Sequence, residues 1–432
     1  MIVLWVSVCP AAGQAVQGPS GASGGLFGGH RPADPNRVSQ RLSLTVDLSG
    51  GYDSRGDNPV ASAQSGFEPL YAGTASTSAR YWRGKPARFL EASANGRVNY
   101  ETRTREQLIG GQGLLLGSTS VGRKLQLTGG TLFSYDPAAL SSQFAPGLGQ
   151  QETEFGVDHS TPIGIREQPW LTGSAYVNAL RTWSVRQTTV FEYRASRREP
   201  LDGLGLASRA QEAAMTHSWN FNRSASLRAS YRFDDNRQAT QTIVSQPLRT
   251  STVDFGMHFD RRFSPIRVLS LDIAGGAARA NRAAAVDMSG LDYVLPVVSG
   301  SVRFNLTGIW SLILEGSRDI NVLEGVSPEP FATNVGTLRL NANLSSRMAF
   351  AVSGTHSKGA GVETSSHGFE TAQANAQLQF GFGRCCGTFG SYSFYQHHTR
   401  DLATLAANFP ERYSQHTVRL GLTFWLPLYG SF

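Results

Sequence analysis

The sequence predicts an all-β chain closed into one antiparallel transmembrane β-barrel of about 18 strands, within a range of roughly 16 to 20. The clearest observation is the last stretch, where Val418, Leu420, Leu422, Phe424 and Leu426 alternate with Thr417, Arg419, Gly421 and Thr423. Strict alternation places every apolar side chain on one face of a strand and every polar one on the other. The same pattern recurs along the whole chain. The connections between these segments alternate between short and long, the asymmetry of a membrane barrel with turns at one end and loops at the other.

Composition agrees. Of 432 residues 16% are charged and 40% hydrophobic, and 47 are glycine. No stretch reaches the roughly 18 consecutive apolar residues of a membrane-spanning helix. Gly, Ser, Thr, Asn and aromatic residues dominate, and long helical patterns are missing.

The chain divides into three parts. Residues 1–15 read as a truncated export signal: the first eight are largely apolar, and Ala11, Ala12, Gly13 and Ala15 offer small residues for cleavage, although a basic start is missing. Cys9 follows Val8 rather than small residues, which argues against lipid attachment. Residues 16–39, rich in Gly, Pro, Ser and Ala without a period, read as a flexible periplasmic leader. Residues 40–432 form the barrel. Within it Cys385 and Cys386 are adjacent, a spacing that suits neither zinc nor a long-range disulfide; a vicinal disulfide stays open beside the reading of two small turn residues.

The strands follow in order. The first is expected over residues 40–53, with Leu42, Leu44, Val46 and Leu48 opposite Ser43, Thr45 and Asp47. Leu227, Ala229, Tyr231 and Phe233 alternate with Ser226, Arg228, Ser230 and Arg232. Val253, Phe255, Met257 and Phe259 alternate with Asp254, Gly256, His258 and Asp260. Later segments repeat the theme around Val302 and Phe304, around Leu338 and Leu340, and around Leu378 and Phe380. The polar faces are too polar for a packed core and suit a wet lumen.

Tight turns are expected at residues 84–86, 121–123, 181–183, 222–224, 307–309, 345–347 and 383–385. Longer loops are expected at 54–73, 136–168, 195–208, 235–247, 281–292, 321–331, 358–368 and 401–412, with a further strand or loop hairpin conceivable at 152–157. Trp183, Trp219, Phe221, Trp310, Phe382, Phe389 and Trp425 fall near the turn-side ends, where amphipathic rings would form a girdle at the headgroup level.

On these features the chain resembles bacterial outer-membrane β-barrels of the porin-like type. The resemblance covers residues 40–432 and rests on the alternating strands, the unequal connections and the final Phe432. It implies location in the bacterial outer membrane, short periplasmic turns and longer extracellular loops. It also implies contact with outer-membrane lipids and an assembly signal at Phe432 read by the barrel-assembly machinery. Two departures are a pI near 9.5 and the lack of a long acidic constriction loop. No subfamily motif stands out, and the oligomeric state is left open.

Other chemistries find little support. His217–Ser218 and His356–Ser357 are adjacent pairs whose members point to opposite faces of a strand, so neither makes a dyad by proximity, and no enzyme is expected. His397, His398 and His416 read as rim histidines rather than a metal site, and no cofactor is expected. Gly111–Gly113 and Gly381–Gly383 are not phosphate loops, because no helix follows. The net charge of +7 comes from dispersed arginines, which excludes a nucleic-acid patch.

Two functions remain: a porin-like pore for small hydrophilic solutes, or a structural or export-accessory barrel, for example surface-polysaccharide related, with a loop-filled lumen. For the pore, Arg186, Arg194, Arg228, Arg232, Arg303, Arg339 and Arg419 are expected to face the lumen, opposed by Asp47, Glu192, Asp254, Asp260, Asp272 and Glu315. The arginine excess predicts weak anion preference. The competing expectation is that these ions pair and brace the wall.

Overall fold

In the computed structural model the described residues are 39–55, 70–85, 88–102, 105, 107–136, 169–201, 207–239, 247–264, 266–282, 290–306, 309–322, 330–345, 347–362, 367–383, 385–400 and 411–431. They form 18 strands and no helix, from β1 (Ser39–Arg55) and β2 (Leu70–Lys85) to β17 (Cys386–Arg400) and β18 (Arg412–Ser431). Each strand pairs antiparallel with the next, and β1 also pairs with β18, from Gln40↔Ser431 to Arg55↔Gln415. The sheet is therefore closed on itself into a barrel, which is how a β-wall satisfies its backbone in lipid.

Alternation decides the two faces. In β1, Leu48 is largely exposed on the outside while Thr45 and Asp47 are buried on the inside. β9 (Ala225–Ala239) and β10 (Leu248–Ser264) carry Leu227, Tyr231, Val253, Phe255 and Met257 outward, and β18 carries Leu420, 69% exposed, with Val418 and Leu422 beside it. A soluble barrel would not leave this much apolar surface exposed on most of its strands.

Both chain ends of the barrel lie at the turn side, where neighbouring strands follow closely, as from β6 (Trp170–Ser184) to β7 (Gln187–Pro200). Here several details depart from expectation. The turn expected at 181–183 lies at Val185 and Arg186, because Arg181 to Ser184 continue β6 and stay paired with β7. A tight turn between β10 and β11 (Arg267–Arg282) and a connection between β3 (Arg88–Glu101) and β4 (Gln107–Val121) had no expected counterpart. Parts of the expected loops are strand: β7 runs to Pro200 and β9 to Ala239. The segment 152–157, the expected signal at 1–15, the expected leader at 16–39 except Ser39, which opens β1, and Phe432 lie outside the described residues.

The girdle is partly as expected. Trp183, Trp219, Phe221 and Phe382 are exposed near the turns, with Trp219 and Phe221 rings 4.9 Å apart. Phe389 and Trp425, however, face inward. Phe389 is buried over Gly421, where a Cβ would sit 2.5 Å from its ring, and Trp425 pairs with the inward Thr45.

The wall also overlaps itself. β12 (Leu291–Asn305) and β13 (Trp310–Val322) pair only between Val298↔Arg318 and Asn305↔Ser311, so their loop-side ends separate. There Ile320 and Val322, on the outward face of β13, pack against Leu248, Ala278, Ala280, Leu295 and Val297 on the inward face of β10 to β12. A local apolar core thus lies inside the barrel, where a wholly wet lumen was expected.

Candidate functional site: the inner wall

Inward positions alternate along each strand and line up across strands through the pairing register. One such row runs Thr423, Asp47, Ser76 and Arg97 across β18, β1, β2 and β3. Asp47 accepts hydrogen bonds from the Thr423 hydroxyl at 2.6 Å and the Ser76 hydroxyl at 3.3 Å. A carboxylate this buried requires such donors, since an unpartnered charge in low dielectric is costly.

Two of the expected lumen arginines cross a neighbouring strand over a glycine. Arg228 on β9 lies across Gly256 on β10, where a Cβ would meet its Nε at 2.6 Å, and so reaches Asp272 on β11 at 2.8 Å. Arg419 on β18 lies across Gly51 on β1, its Cγ 2.8 Å from a built Cβ, and donates to the Thr74 hydroxyl on β2 at 3.1 Å. Glycine inside these strands is explained by close approach of a side chain.

The other expected site residues fall as follows. Arg232 pairs with Asp234 at 3.3 Å and with Asp319. Asp319 belongs to β13, four strands further round the sheet order, so this pair spans the overlap and ties β13 to β9. Arg339 pairs with Glu315 at 3.0 Å. Asp254 accepts from the Ser230 hydroxyl at 2.6 Å, and Asp272 also approaches His258 at 3.6 Å. Glu192 accepts from Asn178 at 2.9 Å. Arg303 faces inward by register between Ser270 and Ile313, is exposed, and makes no ion pair among the described residues. Arg186 sits in an exposed turn and not in the lumen.

Several participants had no place in the expectation. Arg80 and Glu91 pair at 2.7 Å, with Glu91 almost fully enclosed. Trp170 is buried under the Arg198 guanidinium, 4.6 Å from the ring centroid. On the loop side of β14 to β18 the inward Phe331, Ser357, Thr371, Tyr395 and His397 are all but inaccessible. His397, expected as a rim residue, stacks on Tyr413 at 5.7 Å. Inward aromatic positions were legible only as members of alternating runs, with nothing in the sequence to say that the loop-side half is packed.

The remaining histidines behave as the alternation requires. His356 is exposed on the outer face and Ser357 buried on the inner one. Among the described residues no group of three or more His, Cys, Asp or Glu side chains is placed to hold a metal ion. Cys385 and Cys386 are free thiols with sulfurs 3.0 Å apart.

No protein-family profile matches the chain, and no curated protein matches it. Solved structures with a similar chain path include Pseudomonas aeruginosa OpdQ, at 11% identity over 90% of this chain and 98% of that one, TM-score 0.45. Pseudomonas aeruginosa OccK2 (OpdF) in complex with glucuronate has the same values. Pseudomonas aeruginosa OccK11 (OpdR) shares 14% identity over 90% and 96% of the two chains, TM-score 0.43. At these levels the barrel stands on the strand pairing of this chain alone. That pairing, with its aliphatic exterior and ionised interior, defines a membrane β-barrel.

Proposed function

We propose that the chain resides in the bacterial outer membrane and passes small hydrophilic solutes through a constricted lumen with weak anion preference. The observation that carries this reading is the inner wall itself. Arg228, Arg232 and Arg339 are matched by Asp272, Asp234, Asp319 and Glu315, so they brace the wall and hold a fixed, polar lining. Arg303 is left as an exposed inward cation, whereas Arg419 donates to a neutral hydroxyl and has the Asp53 carboxylate acting on it. Unmatched cations lower the entry barrier for anions, and salt screens them over a Debye length of about 8 Å at physiological strength.

The test is the reversal potential of the purified protein in a planar bilayer under a salt gradient. Anion preference that weakens at high salt, and a shift toward cations in Arg303→Glu, are expected. Cation preference in the unaltered protein, or no shift in the variant, overturns the assignment. A second reading, an accessory barrel with a filled lumen, is favoured by the buried loop-side residues Phe331, Tyr395 and His397. Complete absence of conductance from protein that has inserted would select it.

A further inference from the structure

The outer face of β12 to β18 carries a feature that neither conduction nor barrel closure uses. Gly300, Gly316 and Gly336 are paired directly across β12, β13 and β14, and Gly354 on β15 lies beside Leu338. A Cβ at Gly336 would meet nothing within 4 Å; at Gly300, Gly316 and Gly354 it would meet a carbonyl oxygen at 3.6, 3.9 and 3.7 Å, ordinary contact distances. Side chains would therefore fit within the fold, and glycine in a strand interior weakens it. The result is a groove of about 720 Å³ walled by Leu271, Ile273, Val302, Leu314 and Leu338.

The groove continues toward the loop side through His356, which also borders a polar pocket of about 430 Å³ with Glu370, Gln396, His398 and Arg412. Around it stand exposed cations: Arg318 two residues beyond Gly316, Lys358 two beyond His356, Arg400 two beyond His398, and Arg412. Among the described residues none of the four makes an ion pair. Elsewhere on the outer face near the loops Arg237 pairs with Asp235 and Arg279 with Asp292, while Arg209 stands alone between Arg197 and Arg237 without a carboxylate or an apolar groove beside it among the described residues. The single carboxylate of the polar pocket, Glu370, is engaged by His356 at 3.1 Å and also lies across the β15–β16 pairing from Lys358, with Arg400 close enough to act on it, so one negative charge faces four cations.

We propose that this face binds a phosphorylated lipid of the loop-side leaflet, with an acyl chain in the glycine groove and the anionic headgroup among Arg318, Lys358, Arg400 and Arg412. The occupant follows from charge and position. An apolar trough ending in a surplus of cations at the edge of the apolar band matches an amphiphile whose negative charge sits at the interface. A second copy of this chain would bring the same cations against one another. The site rests on the membrane reading above.

The probe is phosphatidylglycerol against phosphatidylcholine, offered to the full-length barrel in mixed micelles, with retained lipid measured by native mass spectrometry. Preferential retention of phosphatidylglycerol on the order of tenfold is expected. The triple variant Arg318→Gln, Lys358→Gln, Arg412→Gln should lose the preference while still shifting on gels when boiled. Gly336→Leu should lower retention of both lipids with the cations intact. Equal retention of the two lipids, an unchanged preference in the triple variant, or unchanged retention in Gly336→Leu overturns the proposal while leaving the barrel standing. A protein that neither inserts nor shows a heat shift would instead refute the membrane reading.

Discussion

Leu340 and Asn341 offer the sharpest test of which face meets lipid. Leu340 is the middle of the outward run Gly336, Leu338, Leu340, Ala342, Leu344 on β14 (Pro330–Ser345), and its cross-strand partners are Leu312 and Val352. Four residues on either side amount to about 13 Å of strand, or about 10 Å of height at a tilt of about 40°, which places Leu340 near the centre of the apolar band. An arginine there must desolvate or drag water into the bilayer, costing about 2–4 kcal/mol. Asn341 faces inward between Ser311 and Ala351, and arginine at that position should change stability by about 0.5 kcal/mol or less. Reversible urea unfolding from lipid vesicles measures both variants against the unaltered protein. Equal penalties, or a neutral Leu340→Arg, would show that the outward face does not meet lipid.

Other consequences are equally direct. Ile320→Ala removes the side chain that seats β13 on the inward face of β10 to β12, and should cost about 2–4 kcal/mol in the same unfolding assay; a loss under about 0.5 kcal/mol would mean that the overlap contributes little. The protein folded in detergent should give β-type circular dichroism and migrate differently before and after boiling, because a closed hydrogen-bonded wall resists detergent until heated, whereas a helical spectrum would contradict the fold. Removal of Phe432 should lower the yield of folded barrel in cells and leave folding in vitro largely intact, and normal surface yield would count against an assembly signal there. Arg228→Ala leaves Asp272 with His258 as its one basic neighbour among the described residues and should cost about 3–5 kcal/mol, read as a lowered urea midpoint; an unchanged midpoint would show that the pair does not brace the wall.

The alternation of Leu42 to Leu48, of Val253 to Phe259 and of Val418 to Leu426 was sufficient to determine strand type, facing and approximate number, because the period of two is a local property of the extended chain. Errors at strand ends have a local cause too: Arg197 and Arg198 look like loop residues, yet β7 carries them, since a wall that projects beyond the apolar band can be polar on both faces. What tertiary structure alone decided depends on which strands meet. That Arg228 reaches Asp272 follows from Gly256 standing between them, and that Arg232 reaches Asp319 follows from a wall that folds over at β12 and β13. Phe389 reads as a turn-side girdle aromatic, and only the pairing with Gly421 shows it seated inside the barrel; that Tyr395 lies enclosed in a packed loop-side half of the lumen is likewise decided by contacts between strands. Sequence period specifies the face of each strand, whereas ion pairing, packing and the shape of the bore are set by contacts between residues far apart in the chain.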